Sequence, residues 1–184
     1  MSIVETFLKA VSFFDTLKED GFIEDYALIG GLALSAWVRP RTTRDVDFVV
    51  ILSEGMDWPD IVAAIETRLQ KRVVIRKRKQ ANIQEMLSFM EGQIQVDVIS
   101  ARGLSVAHEA IKNAATATLF GHAIKVATPE YLILLKLLPL SEQDILDIKA
   151  LTQKADKENL SALADKFFLR SRLDRVLKRK KSTP

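Results

Sequence analysis

The chain has 184 residues, 48% hydrophobic and 28% charged, enough for one cored domain or one domain with a helical part appended. It has no cysteine, which excludes disulfides, a thiolate zinc site and a thiol nucleophile, and no apolar run reaches membrane-spanning length. Net charge is +3 but uneven: residues 170–181 hold seven Lys/Arg against the single acid Asp174, and residues 68–79 hold seven against none. Each basic segment is a candidate surface for phosphates, or else a solvated face.

In chain order, Val4, Phe7, Leu8, Val11, Phe14 and Leu17 recur at helical spacing, and Gly21 ends that helix. The start of the chain carries no basic leader, so the cytoplasm is the expected compartment. Tyr26 to Ile29 reads as a strand, Leu32 to Val38 as a helix stopped by Pro40, and Val46 to Leu52 as a strongly β run. Asp57-Trp58-Pro59 opens a helix carrying Ile61, Ile65 and Leu69. Val73 to Ile75 begins another strand. Met86 to Met90 and Gln93 to Ile99 flank Glu91-Gly92 as a hairpin, and Thr118 to Phe120 and Ala123 to Val126 flank Gly121-His122 as a second. A helix over 104–114 separates them. Thr128-Pro129-Glu130 starts a helix, Ser141 and Asp144 cap the next, and the chain is helical and increasingly basic from about Asn159. The order predicts an α+β fold: a mixed sheet with flanking helices over 1–127 and a helical C-terminal portion over 128–184.

Two features carry chemistry. Asp45 and Asp47 stand two apart on a strand, so both face one way while Val46, Phe48 and Val50 face the core. Adjacent carboxylates repel when desolvated, and a divalent cation with oxygen ligands is a fitting counter-charge. Asp97 lies mid-strand among valines and shares a face with Gln93 and Gln95. A neighbouring position for that strand would gather three acids able to hold two metals, one on a triphosphate and one activating a hydroxyl. Gly30-Gly31, between a strand and a helix, lets the backbone approach a ligand closely and aims free N–H groups at an anion. The combination suits a nucleoside triphosphate with magnesium. His108 and His122 have no metal-ligand spacing, and Trp37 and Trp58 read as packing residues.

Gly30-Gly31, Ala33 and the run Arg41, Thr43, Asp45, Asp47, with the later Asp97, resemble the DNA polymerase β-like nucleotidyltransferases. Within them the motifs are most similar to the AbiEii/MenT-like toxin group and its short relatives. Lys136 and the Asp144/Asp147 pair match the group's later motifs. The resemblance covers roughly residues 26–150 and implies transfer of a nucleoside monophosphate from an NTP to an acceptor, releasing pyrophosphate. It implies Asp45, Asp47 and Asp97 as catalytic and metal-holding residues. Gly30, Gly31, Arg41, Arg44 and Lys136 would bind nucleotide, with Thr43, Asp144 and Asp147 in support. Many members of the superfamily have a serine directly after the first glycine or soon after, where Gly31 and Leu32 stand here, and the resemblance implies a basic residue just before the last acid motif, where Ser141-Glu142-Gln143 precedes Asp144.

The implied acceptor is RNA, above all tRNA, guided by segments 68–79 and 170–181, or a protein hydroxyl, with an antitoxin as partner. Two other readings stay open. One is transfer to a small hydroxylated molecule such as an aminoglycoside, which an acidic acceptor pocket would suit. The other is a catalytically silent module that binds nucleotide or a partner.

Overall fold

The computed structural model describes residues 2–76 and 86–178. Helix α1 (Ile3–Glu19) is opened by a capping box, in which Ser2 Oγ accepts from the Glu5 N–H at 3.2 Å and Glu5 Oε2 from the Ser2 N–H at 2.7 Å. It buries Phe7, Val11, Phe14 and Leu17 on one face, and Gly21 (φ +77°) turns the chain into β1 (Ile23–Ile29). β1 thus begins three residues before the expected Tyr26, because polar Glu24 and Asp25 interrupt the apolar run after Ile23. Asp25 is matched by Lys18 and Lys125.

β1 feeds directly into α2 (Gly30–Leu34), so the glycine pair is the helix's first turn rather than a loop before it. α2 also ends earlier than Val38. Ser35 Oγ donates to Leu32 O at 2.7 Å, and the backbone tightens to bonds three residues apart through Trp37. Trp37 Nε1 donates to Ala127 O at 3.0 Å. β2 (Asp45–Leu52), α3 (Trp58–Ala64), β3 (Val73–Arg76), β4 (Met86–Glu91) and β5 (Ile94–Ser100) follow. Pro59 stands in the first turn of α3, whose end widens into one π-helical turn over Ile65–Leu69. Then come α4 (Ser105–Lys112) and the hairpin β6 (Ala115–Leu119) and β7 (His122–Val126).

The seven strands form one mixed sheet in the order β3-β4-β5-β2-β1-β7-β6. β2 runs antiparallel to β1 and parallel to β5, and β4–β5 and β6–β7 are antiparallel hairpins. Both expected hairpins are present; β6 starts at Ala115, earlier than Thr118. Pairing within the sheet sorts its residues onto two faces. Tyr26, Phe48, Val50, Val96 and Val98 face α1, where the rings of Phe14, Tyr26 and Phe48 meet with centroids 4.7 to 5.9 Å apart. Asp45, Asp47, Val49, Asp97 and Ile99 face the side of α2 and α4.

α5 (Pro129–Leu137) is apolar almost all round and packs against α2 and α4. α6 (Glu142–Leu151), capped by Ser141 as expected, packs on α5. α7 (Lys157–Lys166) is tied to α5, since Glu130 Oε1 accepts the Asp156 N–H at 2.7 Å. α8 (Arg170–Lys178) is anchored by Arg172 Nη1, which donates to Leu137 O and Leu138 O at 2.9 and 3.0 Å. No helix among the described residues is long and apolar enough to cross a membrane.

The α1 face sets the sheet's rigidity, and Phe48 is its centre, fully buried one position after Asp47. Phe48→Ala is expected to cost about 3–5 kcal/mol of stability, read from the urea midpoint at unchanged slope.

Candidate active site

The parallel register of β2 and β5 sets Asp47 opposite Asp97 and Asp45 opposite Gln95. One carboxylate oxygen from each of Asp45, Asp47 and Asp97 lies within 4.8 Å of the others. Each acid has its own support. Asp97, buried at 7% exposure, accepts from Ser88 Oγ at 2.6 Å, and Gln95 Nε2 reaches its two oxygens at 2.8 and 2.9 Å. Asp45 accepts from Thr43 Oγ1 at 2.5 Å. Burial, then the charges of Asp45 and Asp97, push the Asp47 carboxyl up to about 7, against the pull of Lys136 and a hydrogen bond from the Gly31 N–H.

The glycines explain how a helix can begin against these acids. Gly30 has φ +70°, and a Cβ there would overlap the Asp47 carboxylate. At Gly31 a Cβ would stand 2.7 Å from Thr43 Oγ1. The pair is therefore needed for close packing of α2 on β2, with the Gly31 N–H turned toward Asp47.

Lys136, at the end of α5, is 8% exposed and reaches Asp147 Oδ2 at 2.7 Å and Asp144 Oδ1 at 3.2 Å. Arg41 grips Asp147 with two bonds, Nε to Oδ1 at 2.9 Å and Nη2 to Oδ2 at 2.8 Å. Burial raises the Asp147 carboxyl, but hydrogen bonds from Arg41, Lys136 and Gln143 with the Lys136 charge outweigh it and hold it down at about 2. Asp144 both completes the capping box of α6 with Ser141 and is a partner of Lys136. Arg44 is exposed at the cleft rim.

A cleft of about 730 Å³ opens over these groups. Gly30, Gly31, Arg41, Arg44, the three acids, Lys136 and Asp144 all line it, while Asp147 lies beneath its wall. Ser88, Gln95 and Gln143 are additions that the sequence reading did not assign. Gln95 was visible two positions before Asp97 on the same strand face; Ser88 required the β4–β5 register. The basic segments fare differently from each other. Arg68 pairs with Asp20 and stacks on Phe22, and Lys71 pairs with Glu91 at 3.2 Å. Lys77, Arg78 and Lys79 lie outside the described residues, as do Arg179, Lys180 and Lys181. On α8, Arg175 and Lys178 are exposed and form no ion pair among the described residues.

Residues 12–182 match the family model described as nucleotidyl transferase AbiEii toxin, type IV TA system. No curated protein sequence matches the chain. Among solved structures it is similar to the antibiotic-resistance factor ANT(2'')-Ia in solution, at 16% identity over 95% of this chain and 97% of that one, with a TM-score of 0.58. The crystal structure of ANT(2'')-Ia in complex with adenylyl-2''-tobramycin aligns at 14% identity over 90% and 99% of the two chains, TM-score 0.56. An antigenic nucleotidyltransferase-like protein from Paracoccidioides brasiliensis aligns at 19% identity over 94% and 92%, TM-score 0.53. At these identities the likeness is one of fold.

The crowding of acids has a measurable consequence. Folded Asp47 binds its proton more tightly than it does in the unfolded chain, so its share of stability is full below about pH 4 and is lost as pH rises through about 7. In EDTA, Asp47→Asn is expected to melt higher than the parent protein, by a margin that widens from pH 4 to pH 7 and then stays constant. An equal margin between Asp47→Asn and the parent protein at pH 5 and pH 8 would contradict the raised pKa.

Proposed function

The chain belongs to the AbiEii nucleotidyl transferase family, and we propose that it transfers an NMP from an NTP to a hydroxyl of RNA, most of all tRNA, in a magnesium-dependent reaction, as the toxin of a toxin–antitoxin pair in the cytoplasm. One observation carries this reading: three carboxylates within 4.8 Å of one another on the wall of a cleft that also holds Lys136 and Arg44. The donors are all hard oxygens, with no histidine or thiolate near them, and this set fits magnesium. Asp45, Asp47 and Asp97 would hold it, in one or two ions. When bound, magnesium neutralises phosphate oxygens and lowers the pKa of a hydroxyl.

The remaining chemistry falls to the chain's own groups. Asp97, oriented by Ser88 and Gln95, takes the proton of the acceptor hydroxyl as its oxygen bonds to the α-phosphorus. The bond from the α-phosphorus to the bridging oxygen breaks, and pyrophosphate leaves with that electron pair. Lys136, Arg41 and Arg44 stabilise the charge on the departing phosphates, and Gly30-Gly31 lets them lie close to the backbone. The exposed Arg175 and Lys178 on α8 support an RNA acceptor. Arg68 and Lys71 support it less, being paired with acids.

A second reading is favoured by the full-length fold likeness to ANT(2'')-Ia, whose complex contains adenylyl-2''-tobramycin. A polycationic acceptor favours an acidic lining; the cleft sets Asp45, Asp47, Asp97 and Asp144 against Arg41, Arg44 and Lys136, and the basic α8 residues Arg175 and Lys178, which weigh against this reading, lie outside it. A silent nucleotide-binding module would account for the missing serine, but leaves the gathered acids without a purpose.

Incubation with each α-labelled NTP, magnesium and total RNA is expected to label RNA, and EDTA to stop it. Label on protein would redirect the acceptor, and label on added tobramycin would support the second reading. Asp47→Ala is expected to lower transfer by roughly a thousandfold or more. Transfer at the parent rate in that variant would exclude the carboxylate mechanism. Tight NTP binding with no transfer to any acceptor would favour the silent module.

A further inference from the structure

Gln143 stands in the first turn of α6 and lines the cleft beside Lys136 and Asp144. Its Nε2 donates to Asp147 Oδ1 at 3.0 Å. Asp147 is 3% exposed and already takes two bonds from Arg41 and one from Lys136, so it is ionised and offers no proton. The amide therefore has one permitted orientation: Nε2 toward Asp147 and Oε1 away from it. No donor among the described residues reaches that Oε1. Gln143 is exposed at the cleft, so it offers a carbonyl oxygen whose direction is set by a buried ion cluster and which takes no hydrogen bond from the described residues.

The chemistry of an NTP narrows what that partner is. Phosphate oxygens accept and do not donate, so they gain nothing from a carbonyl and are repelled by it. The donors of an NTP lie on its nucleoside: ring N–H and exocyclic amines of the base, and the ribose hydroxyls. The surroundings agree. Leu135, Leu138 and Pro139 line the cleft on the Gln143 side and offer apolar surface to a base or sugar face. Val49, Met86, Ile99, Leu104 and Ala107 add further apolar lining to the same cleft.

We propose that Gln143 is a specificity-determining residue whose Oε1 accepts a hydrogen bond from the nucleoside of the incoming NTP. The inference rests on the NTP-dependent reading above and adds the residue that reads the substrate.

The test is equilibrium binding by calorimetry, with ATP, CTP, GTP, UTP and their 2'-deoxy forms, each with magnesium, to the parent protein, Gln143→Ala and Gln143→Met. Methionine keeps the side-chain length and removes the polar atoms, and melting temperatures report folding of both variants. The parent protein is expected to separate nucleotides, and both variants to lose about tenfold of that separation. Loss confined to differences among bases assigns the donor to the base; loss confined to the ribo–deoxy difference assigns it to the ribose. Parent-like ratios in folded variants would overturn the role of Gln143 while leaving the transferase reading intact. Absence of NTP binding in the parent protein would overturn both.

Discussion

Three carboxylates within 4.8 Å of one another on one face of a sheet repel, and the rest of the domain answers that repulsion. Neutral donors hold two of them without removing their charge: Ser88 and Gln95 on Asp97, Thr43 on Asp45. The third, Asp47, takes the Gly31 N–H and the field of Lys136 instead. On the reverse face, Phe48 is clamped among Phe14 and Tyr26, so β2 cannot bow outward to relieve the crowding. Stability invested in the aromatic face therefore offsets instability stored on the acidic face, an arrangement typical of sites whose charge awaits a ligand.

The glycine pair belongs to the same constraint. A conventional helix start at position 30 would collide with Asp47, so only glycine permits α2 to begin where β1 ends. The glycine pair and the run that ends in Asp47 are parts of one packing contact, Gly30 against Asp47 and Gly31 against Thr43. It carries geometry for the acids in addition to any role toward phosphate.

What was legible in the sequence was local. Alternation around Asp45, Asp47 and Asp97 assigned their faces, because the period of two needs only neighbouring residues. The two hairpins announced themselves through Glu91-Gly92 and Gly121-His122. Adjacency of β2 and β5 is not written locally, since parallel pairing is decided by packing of distant segments. Ser88 was invisible because a serine on an apolar strand gains meaning only from the residue opposite it. The segment from Arg68 looked like a free basic patch, yet Asp20 and Glu91, far along the chain, take up Arg68 and Lys71. The charge of a side chain is local; its neutralisation is not.

Lys136 and Arg41 show the same point inside the site. With Asp144 and Asp147 they make a cluster of two cations and two anions, so the group as a whole adds no net attraction for a polyanion. Removing either cation from the buried Asp147 would leave a charge poorly compensated, at a cost on the order of 3–5 kcal/mol. They therefore act on phosphates from their seats rather than by swinging across the cleft. The balance left facing a triphosphate is the three acids against Arg44. A triphosphate alone meets repulsion there, and so does each added carboxylate charge as Asp47 ionises near pH 7. On the proposed reaction, a divalent ion and the triphosphate must each improve the site for the other, since each supplies the charge the other lacks.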